Sequence, residues 1–281
     1  MSDFPYPDAQ AHQRTVIARR YTGSAEAWLR RLVHDTLAPD GATYITGGQW
    51  SSKLKGDVAA KFRDNPGKYS REVDATTFGQ LVAMVCHHEY WPRWSAALAT
   101  TYPLGVNEAR HYLARLRDIR NELSHGGGCS TRQLEQAVCY SNDLADGIKA
   151  YFRMLGASRD FDVPAFLRFQ DNLGNFTYLT PGPYYRVVDF STPGLRELSP
   201  DDTLVAEVEV DASFDPDFYE VVWWVKTSHE HGEGTAASIK IENRHVGERM
   251  ELQFKLKTKA DWHRGHDCDD VLDIYYRVLP P

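Results

Sequence analysis

The chain has 281 residues, 42% hydrophobic and 12% aromatic, which is enough apolar material to build the cores of two domains. No run of 18 apolar residues occurs, which argues against a membrane-spanning helix, and the first eight residues lack a basic leader and an apolar signal segment. Four cysteines without a Cys-x-x-Cys pair suit reduced thiols, so we expect a cytoplasmic protein.

The net charge of −7 is divided unevenly along the chain. Residues 1–157 carry 19 basic and 16 acidic side chains, whereas residues 158–281 carry 13 and 23. An acidic whole argues against a general nucleic-acid coat protein, but a mildly basic first half is compatible with a small RNA site.

The first half is predicted to be helical. Ser24 is a candidate N-cap for a helix that ends before Pro39 and Gly41 and carries its apolar residues on one face: Trp28, Leu29, Leu32, Val33 and Leu37. A glycine-rich, basic stretch through Lys68 is predicted to be a looser segment. Two further helices are expected within residues 76–86 and 91–101.

The clearest helix follows, because its apolar residues recur every three or four positions: Val106, Ala109, Tyr112, Leu113, Leu116, Ile119 and Leu123. Three glycines, at positions 126–128, are predicted to end this helix. Thr131 opens the last helix, which is expected to continue to about Met154.

Beyond position 158 the pattern changes to short β-branched and aromatic runs bounded by turn residues. Six strands are predicted, at 184–190, 203–210, 218–226, 237–243, 250–257 and 271–278. No helix-length pattern interrupts the last five, which favours an antiparallel β-sandwich or a partly open barrel. We therefore predict an α+β protein with a helical domain at 10–157, a join within 157–180 and a β domain at 165–281.

The end of the clearest helix carries side chains suited to phosphate chemistry. The Arg120 guanidinium is always charged and offers planar donors to a phosphate. His125 can take a proton from a ribose 2′-hydroxyl or give one to a leaving oxygen, and Asn121 can hold the imidazole tautomer or bind a phosphate oxygen. The two ionisable groups would lie about 140° apart on an unbroken helix, so we expect the glycine run to relax the geometry there.

A purely structural interpretation of the same residues remains open. Arg-x4-His is a common string, and Arg120 could pair with Glu122 or Asp118. His125 could simply cap the C-terminus of the helix, where a cation is favoured. On this interpretation the motif has no chemical role.

Residues 116–125, with the sequence Leu-Arg-Asp-Ile-Arg-Asn-Glu-Leu-Ser-His, resemble the signature of the HEPN superfamily. Weaker similarities are the segment Trp-Leu-Arg-Arg at 28–31, residues 77–82 ahead of an aromatic cluster, and a long helix after the motif. The resemblance covers about 145 residues, just over half the chain. Some members carry a modifiable Tyr two residues after the His, and here that position is Gly127.

The resemblance implies a bundle of four or five helices that dimerises and often cleaves RNA in toxin–antitoxin or antiviral systems. It assigns catalytic positions to Arg120 and His125 and the polar position to Asn121. The predicted function is a metal-independent endoribonuclease with RNA as substrate, no cofactor and no bound metal, acting as a homodimer because one chain supplies only one proton-transfer group. The alternative implied by other members is an inactive module that binds a nucleotide or scaffolds a larger defence complex.

In the β domain, adjacent Trp223 and Trp224 should point to opposite faces of a strand, one into the core and one outward. The segment 263–270 holds possible metal ligands, but His-x-x-His-x-Cys lacks a second ligand pair, so a solvated loop is favoured over zinc. Residues 224–226 and 262–266 faintly resemble β-rich sensor domains attached to bacterial second-messenger synthases. That resemblance implies a nucleotide or protein partner at this domain.

Overall fold

The computed structural model describes residues 10–65, 69–157, 162–179, 184–194 and 196–281. Some of the predictions refer to residues outside these ranges: the first eight residues, Lys68, and positions 158–161 and 180 of the expected join. The chain divides into two compact units, Met1–Ala157 and Ser158–Pro281, here called the helical unit and the β unit. Helices come first and strands follow, so the predicted α+β class is confirmed at that level.

The described part of the helical unit contains six α-helices. They are α1 (Ala11–Leu37), α2 (Ser52–Asp64), α3 (Phe78–Val85), α4 (Trp91–Leu98), α5 (Val106–Ser124) and α6 (Thr131–Met154). Within the described residues, none of these helices combines the length and the apolar character that a bilayer crossing needs.

The two earliest helices differ from the sequence prediction. Ser24 is not an N-cap but a buried residue inside α1, which begins at Ala11 because Ile17 and Ala18 pack against later helices. The segment predicted to be loose contains α2, whose cap is Ser51: its hydroxyl accepts a hydrogen bond from the Leu54 N–H at 3.2 Å. Tertiary packing thus extends one helix and stabilises another that glycine and lysine obscure in the sequence.

The remaining helices form where the sequence predicts them. Thr77 caps α3 by accepting from the Gln80 N–H, and Ser130 caps α6 by accepting from the Gln133 N–H. In α5 the buried positions are those of the predicted apolar stripe: Ala109, Leu113, Leu116, Ile119 and Leu123. The stripe fixes which side of α5 faces the other helices.

The β unit contains nine strands in its described residues. They are β1 (Phe166–Asp171), β2 (Phe176–Tyr178), β3 (Tyr185–Phe190), β4 (Thr203–Val210), β5 (Tyr219–Val225), β6 (Glu230–Glu233), β7 (Ala236–Lys240), β8 (Gly247–Thr258) and β9 (Asp270–Val278). One sheet has the order β2-β1-β4-β7, and the other has the order β3-β9-β8-β5-β6. The sequence predicted six of these strands and missed β1, β2 and β6.

The prediction of an antiparallel arrangement is wrong for one pair of strands. β3 pairs with β9 in parallel, from Tyr185 opposite Val271 to Phe190 opposite Tyr276. The other strand pairs are antiparallel. The side-chain alternation of a short strand reports which face is buried and carries no information on strand direction, so the sequence could not distinguish the two.

Residues of both sheets contribute to one hydrophobic cluster within the β unit. In β4, Leu204, Ala206 and Val208 are buried and alternate with more exposed residues. The Phe166 ring of β1 lies 6.4 Å from the Phe254 ring of β8, centroid to centroid. Arg186 of β3 pairs with the buried Asp270 of β9, and both also bond to the Phe166 backbone, which fastens the second sheet to the first.

Candidate functional site

The C-terminal end of α5 is held firmly by its neighbours in the helical unit. Ile119 and Leu123 pack in one cluster with Ala18 of α1 and Leu134 of α6. The Arg19 guanidinium also donates to the Leu123 carbonyl at 2.7 Å, which satisfies one of the acceptors that a helix end leaves open. The backbone that carries the candidate residues of α5 is therefore held in place by packing and by this hydrogen bond.

The glycine run ends α5, but the prediction that it relaxes the helix around His125 is wrong. The helix stays regular to Ser124, and the His125 N–H donates to the Asn121 carbonyl at 3.2 Å. The left-handed residue is Gly126, with φ of 80°, and the Gly127 N–H then donates to the Glu122 carbonyl at 3.0 Å. A Cβ on Gly127 would lie 2.6 Å from the Glu122 Cγ, so two of the glycines serve the turn itself.

Replacing Gly126 with alanine is expected to lower the free energy of unfolding of the helical unit by about 1 kcal/mol, because an L-residue is strained at positive φ. Urea denaturation followed by circular dichroism measures the change. Gly128→Ala is the matched control, since its φ is not positive and nothing lies within 4 Å of its ideal Cβ position. Equal midpoints for the two variants would contradict this explanation of the turn.

Among the described residues, Arg120 forms its ion pair with neither Glu122 nor Asp118. Its Nε lies 3.4 Å from Oε2 of Glu26 in α1, while Arg30 donates to Oε1 of the same carboxylate at 2.5 Å. The Glu26 side chain is only 7% exposed, and that of Arg120 is 28% exposed. A buried carboxylate therefore orients a guanidinium that still reaches the surface.

Lys61 of α2 adds a third cation to this group. Its amine donates to the Ala75 carbonyl at 2.6 Å. Burial lowers the pKa of Lys61, the charges of Arg30 and Arg120 lower it further, and the carboxylates of Asp57 and Glu26 oppose the change. The α1–α2–α5 junction thus places three basic side chains near two carboxylates, those of Glu26 and Asp57. The excess of positive charge favours an anion at the exposed rim.

Sequence reasoning missed Glu26 and Lys61. The detectable signal for Glu26 was an acid four residues before Arg30, placed among the buried residues Ala25 and Leu29. A carboxylate at such a position requires partners, although the sequence alone does not say that one of them is Arg120. Lys61 lies in α2, within the stretch that the sequence predicted to be a looser segment.

Asn121 and His125 are both exposed. In the described parts of the chain, neither side chain makes a hydrogen bond, and no hydrogen bond or ion pair joins Arg120 to His125. Their positions follow the angular spacing of a regular helix, because α5 does not unwind between them. A single chain therefore presents the guanidinium and the imidazole about 140° apart around the helix axis and does not bring them together.

The candidate metal ligands of the β unit have a structural role. Asp269 is fully buried and accepts from the backbone N–H groups of Thr258 and Arg264, both at 2.8 Å, and His263 Nδ1 lies 3.1 Å from it. Burial tends to raise the pKa of Asp269, but these hydrogen bonds outweigh it and the pKa is lowered. Cys268 is buried too, so the expectation of a solvated loop is wrong for Cys268 and Asp269. Among the residues described, no group of three His, Cys, Asp or Glu side chains is arranged to hold a metal ion.

The tryptophan pair behaves as predicted. Trp223 packs against the core of the β unit, whereas Trp224 is 45% exposed on the opposite side of β5. The ring of Trp224 lies 6.4 Å from that of His229, centroid to centroid.

Comparison of this chain with protein-family models, with curated proteins and with solved structures found no match. Any functional conclusion therefore depends on the residues and contacts described above.

Proposed function

We propose that the helical unit is a metal-independent endoribonuclease of the HEPN type, acting in a microbial defence or toxin-type system. The observation that carries the proposal is that α5 presents an oriented, surface-reaching Arg120 and an exposed His125 at a fixed helix end. Asn121 lies between them on the exposed side. These are the groups that cleavage of RNA through its own 2′-hydroxyl requires.

In the proposed reaction the 2′-oxygen of a ribose attacks the adjacent phosphorus, and a His125 imidazole takes the hydroxyl proton. The bond from phosphorus to the 5′-oxygen breaks, and a protonated His125 supplies the proton to that leaving oxygen. Arg120 stabilises the charge that develops on the phosphate. The products are a 2′,3′-cyclic phosphate and a 5′-hydroxyl.

The test is to incubate the full chain with RNA in EDTA and to analyse the ends of the products. We expect cleavage that persists in chelator and leaves 2′,3′-cyclic phosphate ends, since no step needs a metal. Cleavage that EDTA abolishes, or products with 5′-phosphates, would contradict the mechanism.

We further propose that the active species is a homodimer. One chain holds one His125, whereas the reaction needs an acid and a base, and Arg120 and His125 of one chain do not meet in the described structure. An equimolar mixture of wild type and His125→Ala, after subunit exchange, should keep about a quarter of the wild-type rate if both imidazoles are needed, and about half if each chain acts alone. A monomeric elution profile at micromolar concentration would also count against the dimer.

A second function is favoured by one specific contact. The ion pair between Arg120 and the buried Glu26 partly neutralises the guanidinium and so weakens its stabilisation of charge on a reacting phosphate. This suits a non-catalytic module that scaffolds a larger defence complex or binds a nucleotide through other groups. Absence of cleavage by a demonstrated dimer, alone or with added nucleotides, would support this alternative.

For the β unit we propose a β-sandwich that senses a nucleotide or docks a protein partner. The support for the sandwich is the single core shared by both sheets, including the contact between Phe166 and Phe254. The support for a partner surface is the exposed Trp224.

A further inference from the structure

Two cavities in the helical unit meet on the exposed side of α3. One, of about 540 Å³, opens towards Trp50 and α2, and the other, of about 390 Å³, opens towards α5. Both are lined by Gly79, Ala83 and His87, so together they cross the same helix. We call this surface the α3 groove.

The α3 groove is basic, although the chain as a whole carries a net charge of −7. Lys53 lies on its α2 side, and Arg110 and Arg117 lie on its α5 side. The one acidic lining residue is Asp57, which accepts a hydrogen bond from the Gln80 amide at 2.9 Å. Three basic side chains, one of which pairs with Asp118 at the edge of the groove, outnumber the carboxylates and favour a ligand with several negative charges.

The two arginines are suited to phosphate groups. Arg110 uses two of its five N–H donors to fix its position, on the Cys86 carbonyl at 2.8 Å and on Asn107 at 3.0 Å. Arg117 pairs with Asp118, but both side chains are exposed, at 39% and 62%, so the pair contributes little stability and a phosphate can compete for the guanidinium.

His87 and His88 offer ring contacts at the middle of the groove. The His87 Nδ1 is buried and has no hydrogen-bond partner among the described residues, so packing holds this ring in place. The centroid of the His87 ring lies 6.0 Å from that of Trp50 and 4.9 Å from that of His88. The His88 side chain is 81% exposed at the rim, where an unpaired base can stack on it.

The groove runs towards the candidate active site. Arg117 lies three residues before Arg120 and four before Asn121, which places it one helical turn away on the same side of α5. We propose that the α3 groove binds single-stranded RNA through its phosphate backbone and leads the strand to the end of α5. The choice of RNA as the ligand rests on the proposed function; the basic groove itself does not.

The test measures binding of a fluorescent 2′-O-methyl oligonucleotide of about 12 nucleotides, which spans several phosphates and lacks the attacking hydroxyl. Gly79→Glu places a carboxylate in the groove. The helix should tolerate this change, because acids are favoured in the first turn of a helix. A Cβ at position 79 would lie 3.6 Å from Arg117 Cδ and 4.0 Å from Thr77 Oγ1, which are ordinary contact distances. Gly79→Gln is its neutral control. Arg117→Gln removes one cation, and Arg63→Gln, on an exposed arginine outside the groove, is the matched control.

Gly79→Glu is expected to weaken binding about tenfold, and Arg117→Gln several-fold with a shallower salt dependence, by about 0.7 in the slope of log K against log salt. Gly79→Gln and Arg63→Gln should bind within about twofold of wild type. Thermal midpoints equal to that of wild type verify folding.

Failure of the wild-type chain to bind the oligonucleotide, or unchanged binding by both groove variants, would overturn the inference. The cleavage assay on ordinary RNA separates the two proposals. If wild type cleaves RNA and both groove variants bind as well as wild type, the proposed role of the groove is rejected and the proposed ribonuclease activity is kept. If binding depends on the groove but wild type cleaves no RNA, the ribonuclease activity is rejected and the role of the groove is kept.

Discussion

Replacing His125 with alanine is expected to lower the rate of RNA cleavage in EDTA by about 100-fold or more, because the reaction loses both its general base and its general acid. The fold should be unaffected, since the side chain is exposed and makes no hydrogen bond within the described residues. The measurement is the initial rate on a fluorescent RNA, with circular dichroism to verify the helical content.

His111→Ala is the matched control, because His111 is an exposed histidine on α5, almost four helical turns before His125. It should cleave at the wild-type rate. Glu26→Gln tests orientation separately: loss of the carboxylate frees Arg120, so we expect a lower rate at an unchanged pH profile, since the proton-transfer groups are unaltered. Equal activity of His125→Ala and wild type would remove His125 from the mechanism.

Replacing Asp270 with asparagine is expected to lower the free energy of unfolding of the β unit by about 3 kcal/mol. Asp270 is fully buried, pairs with Arg186, and accepts a hydrogen bond from the Phe166 N–H at 2.7 Å. Burial raises the pKa of Asp270 and lowers that of Arg186, and their mutual attraction opposes both changes. The variant leaves a buried guanidinium without this carboxylate. Denaturation followed by tryptophan fluorescence measures the loss.

Asp267→Asn serves as the control for that experiment. Asp267 is a nearby aspartate whose side chain is 63% exposed and pairs with Lys255 at 3.2 Å. An exposed pair of this kind contributes about 1 kcal/mol or less, so the two variants should differ clearly. If they unfold at the same denaturant concentration, the buried pair does not hold the two sheets together as described.

Local signals predicted most of the helical unit, and they failed where packing between distant segments decides the outcome. The apolar period of α5 and the glycines after it gave the helix and its end correctly. The partner of Arg120 was not predictable, because Glu26 lies almost 100 positions earlier and meets it only when α1 and α5 pack together. Because the sequence did not predict α2, it also did not predict the position of Lys61 or of one side of the α3 groove.

In the β unit, prediction from the sequence failed for a different reason. Alternation located β4 and β5, since one face of each is buried. β9 was located as an apolar and β-branched run, and its first five residues are all buried. Short strands such as β2 and β6 hold too few residues to give a period, and they were missed. The burial of Asp269 could not be predicted either, because its hydrogen bonds come from a turn and a neighbouring strand that the sequence alone does not bring together.

The parallel pairing of β3 with β9 has a consequence for how the β unit forms. Sequence neighbours such as β5 and β6 can join as soon as both are synthesised, but β3 acquires its partner only after β4 to β8 have been made and β9 lies against β8. Closing such a long loop slows folding, and until then both edges of β3 offer open backbone groups to other chains. During synthesis this strand is therefore exposed to association with other chains until β9 has been made.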